Sequence, residues 1–324
     1  MRCWYLLLAA SSLFADKVPI HRISESEELP WFTGPLISQS ALAVPVGHYD
    51  IEPYFFANAY TAAYNANWQA VSIPTLWNLI LEPEMEFGLT SFMDFYLLPY
   101  IYYNFAEGHH SGGWGDLTAG LDFQIYRDVY ANHDWYPDIK FSIFETFPMG
   151  KYKGLDPRKL GVQITGQGTY ATTFQIVFGK MIHISGVHFT NTRLEMSYTL
   201  PTPVHVHGFS FYGGGYGARG KAYPSQIFFV DLSSEISLSQ NWAFAIDIIG
   251  NWLSRVRFKG TEGTLLNGAP SRTPRGAGFQ FIIAPALEYN FNASMGLIFG
   301  AEVTLAGKNL LQYRSGIIAF NYYN

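Results

Sequence analysis

The sequence predicts an all-β fold, a transmembrane antiparallel β-barrel of about 12 strands. The chain is 48% hydrophobic and 17% aromatic but only 14% charged, whereas about 25% of residues are charged in an average soluble domain. No stretch approaches the roughly 18–20 consecutive apolar residues of a spanning helix, and the mean hydropathy is only +0.05. Only helices and closed barrels satisfy their backbone polar groups in lipid. Without a spanning helix, a membrane protein with this sequence must be a barrel. A large β-sandwich or β-helix is the soluble alternative.

The N-terminus has the pattern of a secretory signal. Residues 1–15 contain one early positive charge, Arg2, then an apolar stretch from Cys3 to Phe14, and a small residue, Ala15, at the expected cleavage position. A buried N-terminal strand or helix is the alternative. Cleavage would remove the only cysteine, so no disulfide, thiol catalysis or cysteine metal site is expected. The mature chain keeps 19 basic against 25 acidic residues. This balance argues against nucleic acid as a partner, and no cofactor or metal is predicted.

Twelve segments alternate apolar and polar residues in the manner of barrel strands. They are separated by turn residues, and both termini fall on the periplasmic side if the first strand runs outward. Five of the six outer spacers, including 59–76 and 105–114, are then longer than every inner spacer. A sandwich would not sort its connections in this way. The segments are 48–58, 77–88, 92–104, 115–127, 137–148, 166–180, 188–200, 226–238, 241–254, 278–291, 295–305 and 311–323.

The alternation also predicts which side chains face the interior. In 81–89, LEPEMEFGL, three glutamates alternate with apolar residues. A charged side chain that faces lipid at mid-membrane is destabilising, and three together would be prohibitive, so the acidic side should face a narrow, net acidic lumen. The same reasoning assigns these residues to the lumen: Glu52, Glu82, Glu84, Glu86, Asp94, Asp122, Lys140, Arg193, Glu195, Asp231, Glu235, Asp247 and Glu288.

Two further features bear on the domain organisation. Residues 16–47 form a lead before the barrel, 48–324, and prolines keep residues 21–47 extended. This lead is either a loose periplasmic segment or a plug inside the barrel. Prolines also fall within predicted strands, where each removes a ladder hydrogen bond; we interpret them as bulges or bends. They are Pro53, Pro83, Pro99 and Pro285.

Short motifs add a family resemblance. WGDLTAGLDFQIYR (114–127), ETFPMGKY (145–152), GQGTYATTFQIVFGK (166–180) and LAGKN (305–309) occur in this order. Together they resemble the outer-membrane family associated with the meta-pathway of phenol degradation. Met149 replaces the usual threonine of that family, and the chain lacks a terminal phenylalanine. The resemblance implies an outer-membrane channel or transporter of a Gram-negative bacterium, with aromatic or hydrophobic compounds as a candidate substrate class.

Other motifs suggest alternatives of a different class. His183 and Ser185 resemble the His-x-Ser of outer-membrane phospholipase A, but they fall in a predicted inner turn. Residues 215–221 have P-loop spacing, yet Ala222 stands where a Ser or Thr should bind magnesium. His205 and His207 would share a strand face, as two ligands of a metal ion could. Histidines that are simply solvated in a loop are the simpler interpretation.

The leading prediction is a porin-like channel that passes small solutes passively across the outer membrane and has no enzymatic activity. Its expected partners are outer-membrane lipid and those solutes. An outer-membrane enzyme of phospholipase type and a structural or adhesive barrel are the alternatives.

Overall fold

The computed structural model describes residues 30–128, 136–185, 188–273 and 276–324. The predicted signal, 1–15, and the first part of the lead, 16–29, lie outside the described residues. Within the described ranges, no helix is long and apolar enough to cross a membrane.

Seventeen β-strands and one short 3-10 helix, Pro157–Lys159, are found in the described residues. The strands are β1 Tyr49–Tyr64, β2 Ala70–Gly88, β3 Met93–Leu98, β4 Ile101–Ala106, β5 His109–Trp114, β6 Leu117–Tyr126, β7 Asp138–Phe147, β8 Ala171–Ser185, β9 His188–Pro201, β10 Val204–His207, β11 Arg219–Tyr223, β12 Ile227–Ser237, β13 Trp242–Leu253, β14 Arg257–Thr261, β15 Gly278–Asn292, β16 Met295–Lys308 and β17 Leu311–Tyr323.

Fourteen of these strands form one antiparallel sheet that closes on itself, because β1 pairs with both β2 and β17. In this sheet β3 and β4 are two parts of one wall strand, and β5 and β6 are two parts of the next. The wall therefore has twelve strands, which confirms the predicted barrel and its strand number. Closure leaves no sheet edge with unpaired backbone groups, as lipid requires.

The prolines interrupt the backbone ladder locally without opening the barrel. Pro53 and Pro83 are direct partners across β1 and β2. Pairing between β2 and its next neighbour stops at Met85–Leu97 and resumes at Leu81–Ile101, on either side of Pro83 and Pro99. The missing N–H of proline explains these gaps. The break at Pro99 also divides the predicted segment 92–104 into β3 and β4.

Two of the predicted outer loops are wrong. The segment 59–76 is largely strand, because β1 continues to Tyr64 and β2 begins at Ala70. The segment 105–114 contains the end of β4 and all of β5, joined by a turn at Glu107 and Gly108. Both hairpins lie at the outer end of the wall, where alternation with an apolar face is no longer required, so the sequence pattern does not show them.

A second, three-stranded sheet with the order β10–β11–β14 extends the outer ends of β9, β12 and β13. The sequence pattern predicts long outer loops here, between the segments 188–200 and 226–238 and between 241–254 and 278–291. One face of this sheet is apolar: Val204, Val206 and Ala222 are buried against Tyr212, with Phe258 packed beside them. Burial of this face explains why the segment is ordered rather than a flexible loop.

Candidate functional site

The predicted lumen residues are mostly buried from solvent. Glu52, Glu82 and Glu84 are partly buried and, with Glu86, line a cavity of about 130 Å³. The other residues of the predicted set are buried: Glu86, Asp94, Asp122, Lys140, Arg193, Glu195, Asp231, Glu235, Asp247 and Glu288.

The acidic cavity is built by neighbouring strands that place carboxylates opposite one another. Glu84 is the cross-strand partner of Glu52, and Glu86 is the partner of Asp50. Like charges directly opposite on a sheet are destabilising. Hydrogen bonds offset part of this repulsion, because Tyr96 Oη donates to Glu84 Oε2 at 3.1 Å.

Two buried bases compensate parts of the acidic interior. Lys140 is fully buried, and its Nζ lies 3.5 Å from Glu86 Oε1 and 3.8 Å from Asp122 Oδ1. Arg193 Nη2 lies 3.0 Å from Glu235 Oε1. A buried charge left without its partner is strongly destabilising. Removal of either base should therefore leave buried carboxylates without their partner and destabilise the wall.

The chain preceding β1 lies against this wall. Residues 30–47 donate backbone N–H groups to side chains on several wall strands between β15 and β3. Asp247 on β13 accepts three such bonds, from Leu36 at 3.0 Å, Ile37 at 3.3 Å and Ser38 at 3.2 Å. An intramolecular hydrogen bond contributes about 0.5–1.5 kcal/mol, so three bonds to one side chain make Asp247 a strong attachment point for this segment.

Further bonds of the same kind extend along the segment in both directions. The N–H of Thr33 donates to Glu288 on β15 at 2.8 Å, that of Gln39 to Glu195 on β9 at 3.0 Å, that of Ala43 to Gln124 on β6 at 2.7 Å, and that of Val44 to Asp94 on β3 at 2.6 Å. The segment thus crosses the interior from β15 to β3. Four of the predicted lumen acids bind backbone amides of the protein's own N-terminal segment, a role that alternation along the strands does not predict.

Apolar packing supports the same placement. Leu36 is 1% exposed and belongs to a cluster whose wall members are mostly alanines. Small residues facing the interior leave room for an inserted segment, and each bulky side chain buried there gains about 1.5–3 kcal/mol. The wall members are Ala245, Ala284, Ala286, Ile298, Ile317 and Ala319.

A larger cavity of about 900 Å³ occupies the outer half of the barrel. Among the described residues its lining is apolar, aromatic or neutral polar, with Asp116 as the only charged side chain. Tyr60, Tyr102, Phe209 and Phe211 supply aromatic surface. The two cavities therefore differ in chemistry, since the outer one is nearly uncharged and the inner one is acidic.

The connection 148–170 forms part of the outer cavity and is tied inward by Asp116. Its carboxylate accepts the N–H of Gly150 at 2.9 Å and that of Gln167 at 2.7 Å, near the two ends of the connection. Asn104 Nδ2 holds the middle by donating to the carbonyls of Val162 and Ile164 at 3.0 and 2.8 Å. Asp116, at the start of the segment WGDLTAGLDFQIYR (114–127), therefore anchors an inward-folded loop.

A short 3-10 turn, Pro157–Lys159, stiffens the same connection. Asp156 caps it by accepting the N–H of Arg158 at 3.0 Å. Hydrogen bonds from the Arg158 side chain lower the pKa of Asp156 to about 2. A depressed pKa means that the stabilisation is present above the usual carboxyl pKa and is lost only as the pH falls toward 2. The cap is therefore ionised at neutral pH.

Replacing Asp116 with alanine should loosen this connection. Two N–H groups lose a charged acceptor, and the inward loop then samples outward positions. We expect limited proteolysis between residues 151 and 165 to be several-fold faster in Asp116→Ala than in the wild type, with an unchanged barrel by heat-modifiability on gels. Glu107→Gln, at the exposed turn between β4 and β5, is the matched control. Equal cleavage rates in wild type and Asp116→Ala would show that Asp116 does not anchor the loop.

The residues behind the alternative interpretations are placed as follows. His183 lies near the inner end of β8 and stacks on Phe189 with ring centroids 4.3 Å apart. His205 and His207 are exposed on β10. Part of the stretch with P-loop spacing, from Arg219, belongs to strand β11. No group of three or more potential metal ligands occurs in the described parts of the chain.

Comparison with known proteins supports the fold. No protein-family model matches the chain, and no curated protein matches it. The predicted membership of the meta-pathway family therefore stays a prediction. Among solved structures, the chain is similar to the COG4313 outer membrane channel from Pseudomonas putida F1, with TM-score 0.64 and 14% identity over 87% of this chain and 97% of that chain.

Two other similarities are weaker. The translocator domain of the autotransporter NalP from Neisseria meningitidis has TM-score 0.43 and 8% identity, over 86% of this chain and 89% of that chain. The TodX monoaromatic hydrocarbon channel, a deltaS2 mutant, has TM-score 0.35 and 10% identity, over 86% of this chain and 90% of that chain. Only the first similarity is strong enough to support the architecture: this chain shares the barrel fold of that outer membrane channel.

Proposed function

We propose that the protein is a bacterial outer-membrane channel that passes small solutes without chemical change. The observation that carries the proposal is the 900 Å³ cavity in the outer half of the barrel, lined by aromatic, apolar and neutral polar side chains around a single carboxylate. Binding sites for small molecules are of this size and lining. Uncharged amphipathic solutes, including aromatic ones, fit this chemistry best.

The proposed path continues from the outer cavity to the acidic interior. There residues 30–47 cross between the walls and act, in this proposal, as a plug. Solutes pass when the plug is displaced, and they then meet the carboxylates of β1 and β2. The path disfavours anions, because in the described part of the chain the buried acids outnumber the buried bases, Lys140 and Arg193.

The similarity to an outer membrane channel and the resemblance to the meta-pathway family both support this proposal. The first supports the barrel architecture, and the second implies the transport of aromatic or hydrophobic compounds. The location in the outer membrane and the expected signal at 1–15 belong to the same proposal.

Osmotic swelling of proteoliposomes tests the proposal. Solutes of similar size but different charge are compared, for example arabinose, gluconate and a small organic cation. We expect the neutral sugar and the cation to enter clearly faster than gluconate. A variant that fills the outer cavity, Ala106→Phe, should slow all entry, since Ala106 is buried in the lining. Ala119→Phe, on a partly exposed position of β6, is the matched control. Swelling no faster than in protein-free liposomes would overturn the proposal.

Surface labelling tests the proposed orientation. The turn at Gly268 is open, since a Cβ there would meet nothing within 4 Å, and it follows the outer strand β14. A tag inserted after Gly268 should be accessible on intact cells. A tag between Gln240 and Asn241, in the short connection of β12 and β13, should react only after the membrane is permeabilised. The reverse pattern would invert the orientation.

A further inference from the structure

The exposed face of the outer three-stranded sheet carries basic and neutral side chains and no acidic one. Residues that alternate along β10, β11 and β14 lie in register, with His205 opposite Lys221 and Lys221 opposite Lys259. The same face carries His207, Arg219, Tyr223, Arg257 and Thr261. None of the three strands contains an acidic residue, although the chain as a whole has a net charge of −5.

Three of these cations converge on one aromatic ring. Lys221 Nζ lies 5.7 Å, Arg257 Cζ 5.4 Å and Lys259 Nζ 5.6 Å from the ring centroid of Tyr223. Across the residues that the structure describes, neither these three nor Arg219 forms an ion pair. Mutual repulsion makes such a cluster costly unless an anion neutralises it.

The packing of the sheet shows where its basic face points. The opposite, apolar face packs on Tyr152 and Tyr212, and Tyr212 Oη donates to the carbonyl of Gln167 in the inward-folded loop. The apolar face is thus turned toward the barrel mouth. The basic face points away from the mouth, to the outside of the barrel.

An aromatic row places the basic face close to the membrane surface. Tyr198, Phe228 and Trp252 are direct neighbours across β9, β12 and β13, and each is about 40% exposed. Exposed aromatic residues of this kind mark the interface between lipid tails and headgroups. Arg257 follows Trp252 by five residues, at most about 17 Å of extended chain. The cations therefore lie at the level of the outer headgroups or just above them.

We propose that this face, defined by Arg219, Lys221, Tyr223, Arg257 and Lys259, binds the phosphate groups of lipopolysaccharide beside the barrel. The proposal rests on the proposed outer-membrane location but is independent of solute passage. Phosphate accepts charge-assisted hydrogen bonds from arginine and lysine. The sugar rings beside the lipid phosphates can pack on the Tyr223 ring. Charge complementarity and depth thus both favour this occupant.

Binding of lipid A to the full mature protein in nanodiscs of uncharged lipid tests the inference. Wild-type protein should bind bisphosphorylated lipid A in a salt-sensitive manner and dephosphorylated lipid A much more weakly. The triple variant Lys221→Gln, Arg257→Gln, Lys259→Gln should bind roughly tenfold to a hundredfold more weakly, given the usual contribution of each surface cation near anionic lipid. Lys221→Arg with Lys259→Arg, which keeps the charge, should bind like the wild type.

A matched control removes the same charge elsewhere on the outer side: Lys151→Gln, Lys159→Gln, Lys308→Gln. It should change lipid A affinity by less than about twofold, because these lysines lie outside the basic face. Heat-modifiability and solute swelling verify that each variant retains a folded, functional barrel. Three results would each overturn the inference: unchanged lipid A affinity in the basic-face variant, an equal loss in the control, or full displacement by inorganic phosphate at the same phosphate concentration.

Discussion

Deletion of residues 16–47, with the signal retained, should raise single-channel conductance on the order of tenfold. A twelve-stranded lumen lies between the eight-stranded barrel filled by side chains and the sixteen-stranded aqueous channel. In the structure this space is crossed by residues 30–47, which are held by carboxylates on β15, β13, β9 and β3. Conductance of the refolded protein in planar bilayers is the measurement.

Asp247→Ala provides a graded version of the same experiment. It removes the acceptor of three backbone bonds but leaves the segment in the chain. We expect frequent transitions to the larger conductance rather than a permanent increase. Asp156→Asn, on the outer connection, is the control. If the deleted protein remains folded and conducts like the wild type, residues 30–47 do not close the pore.

Within the deleted protein, Glu82→Gln, Glu84→Gln and Glu86→Gln together should remove most of a cation preference. Once the segment is gone, these carboxylates and their partners Asp50 and Glu52 border the open path. A poorly screened negative potential raises the local cation concentration. We therefore expect a potassium-to-chloride permeability ratio several-fold above unity before the substitutions and near unity after them, measured as reversal potentials in a salt gradient.

Glu107→Gln is the matched control for this selectivity, because Glu107 is exposed at the outer turn between β4 and β5. In the triple variant Lys140 loses its ion pair with Glu86 but keeps the one with Asp122. This loss could destabilise the barrel. The folded fraction is therefore checked by heat-modifiability. An unchanged reversal potential in the folded triple variant would exclude a selectivity role for this stretch.

The strands that span the membrane could be predicted from the sequence because lipid imposes alternation. In 81–89 each glutamate is flanked by residues that lipid accepts, and Leu81 is 41% exposed whereas Glu86 is 6% exposed. The same two-residue period predicts that Asp122, Lys140 and Asp247 face the interior, and all three are buried. The physical constraint is local, so a local pattern reveals it.

Features beyond the lipid zone could not be predicted in this way. Strand β5, HHSGGW, lies beyond the lipid zone and shows no alternation of apolar and polar residues, and the alternation in β10, β11 and β14 spans only four or five residues, too few to predict a strand. The attachment of Leu36 to Asp247 joins residues 211 positions apart through a backbone N–H. Every residue except proline has such a donor, so the identity of Leu36 carries no signal of this contact. The interior acids are the part of the sequence that indicates such a contact, because a buried carboxylate requires hydrogen-bond donors.

Disulfide tethering of the N-terminal segment tests the central claim, that its displacement opens the channel. Ala41 lies against Gly179 on β8, where an added Cβ would be 2.6 Å from the Ala41 Cβ. A shift of about 1 Å brings two cysteines to disulfide distance, and the predicted mature chain has no other thiol. The measurement is bilayer conductance of Ala41→Cys, Gly179→Cys before and after reduction, with each single variant as control. We predict a closed channel when oxidised and openings that appear on reduction; equal conductance in both states would contradict the claim.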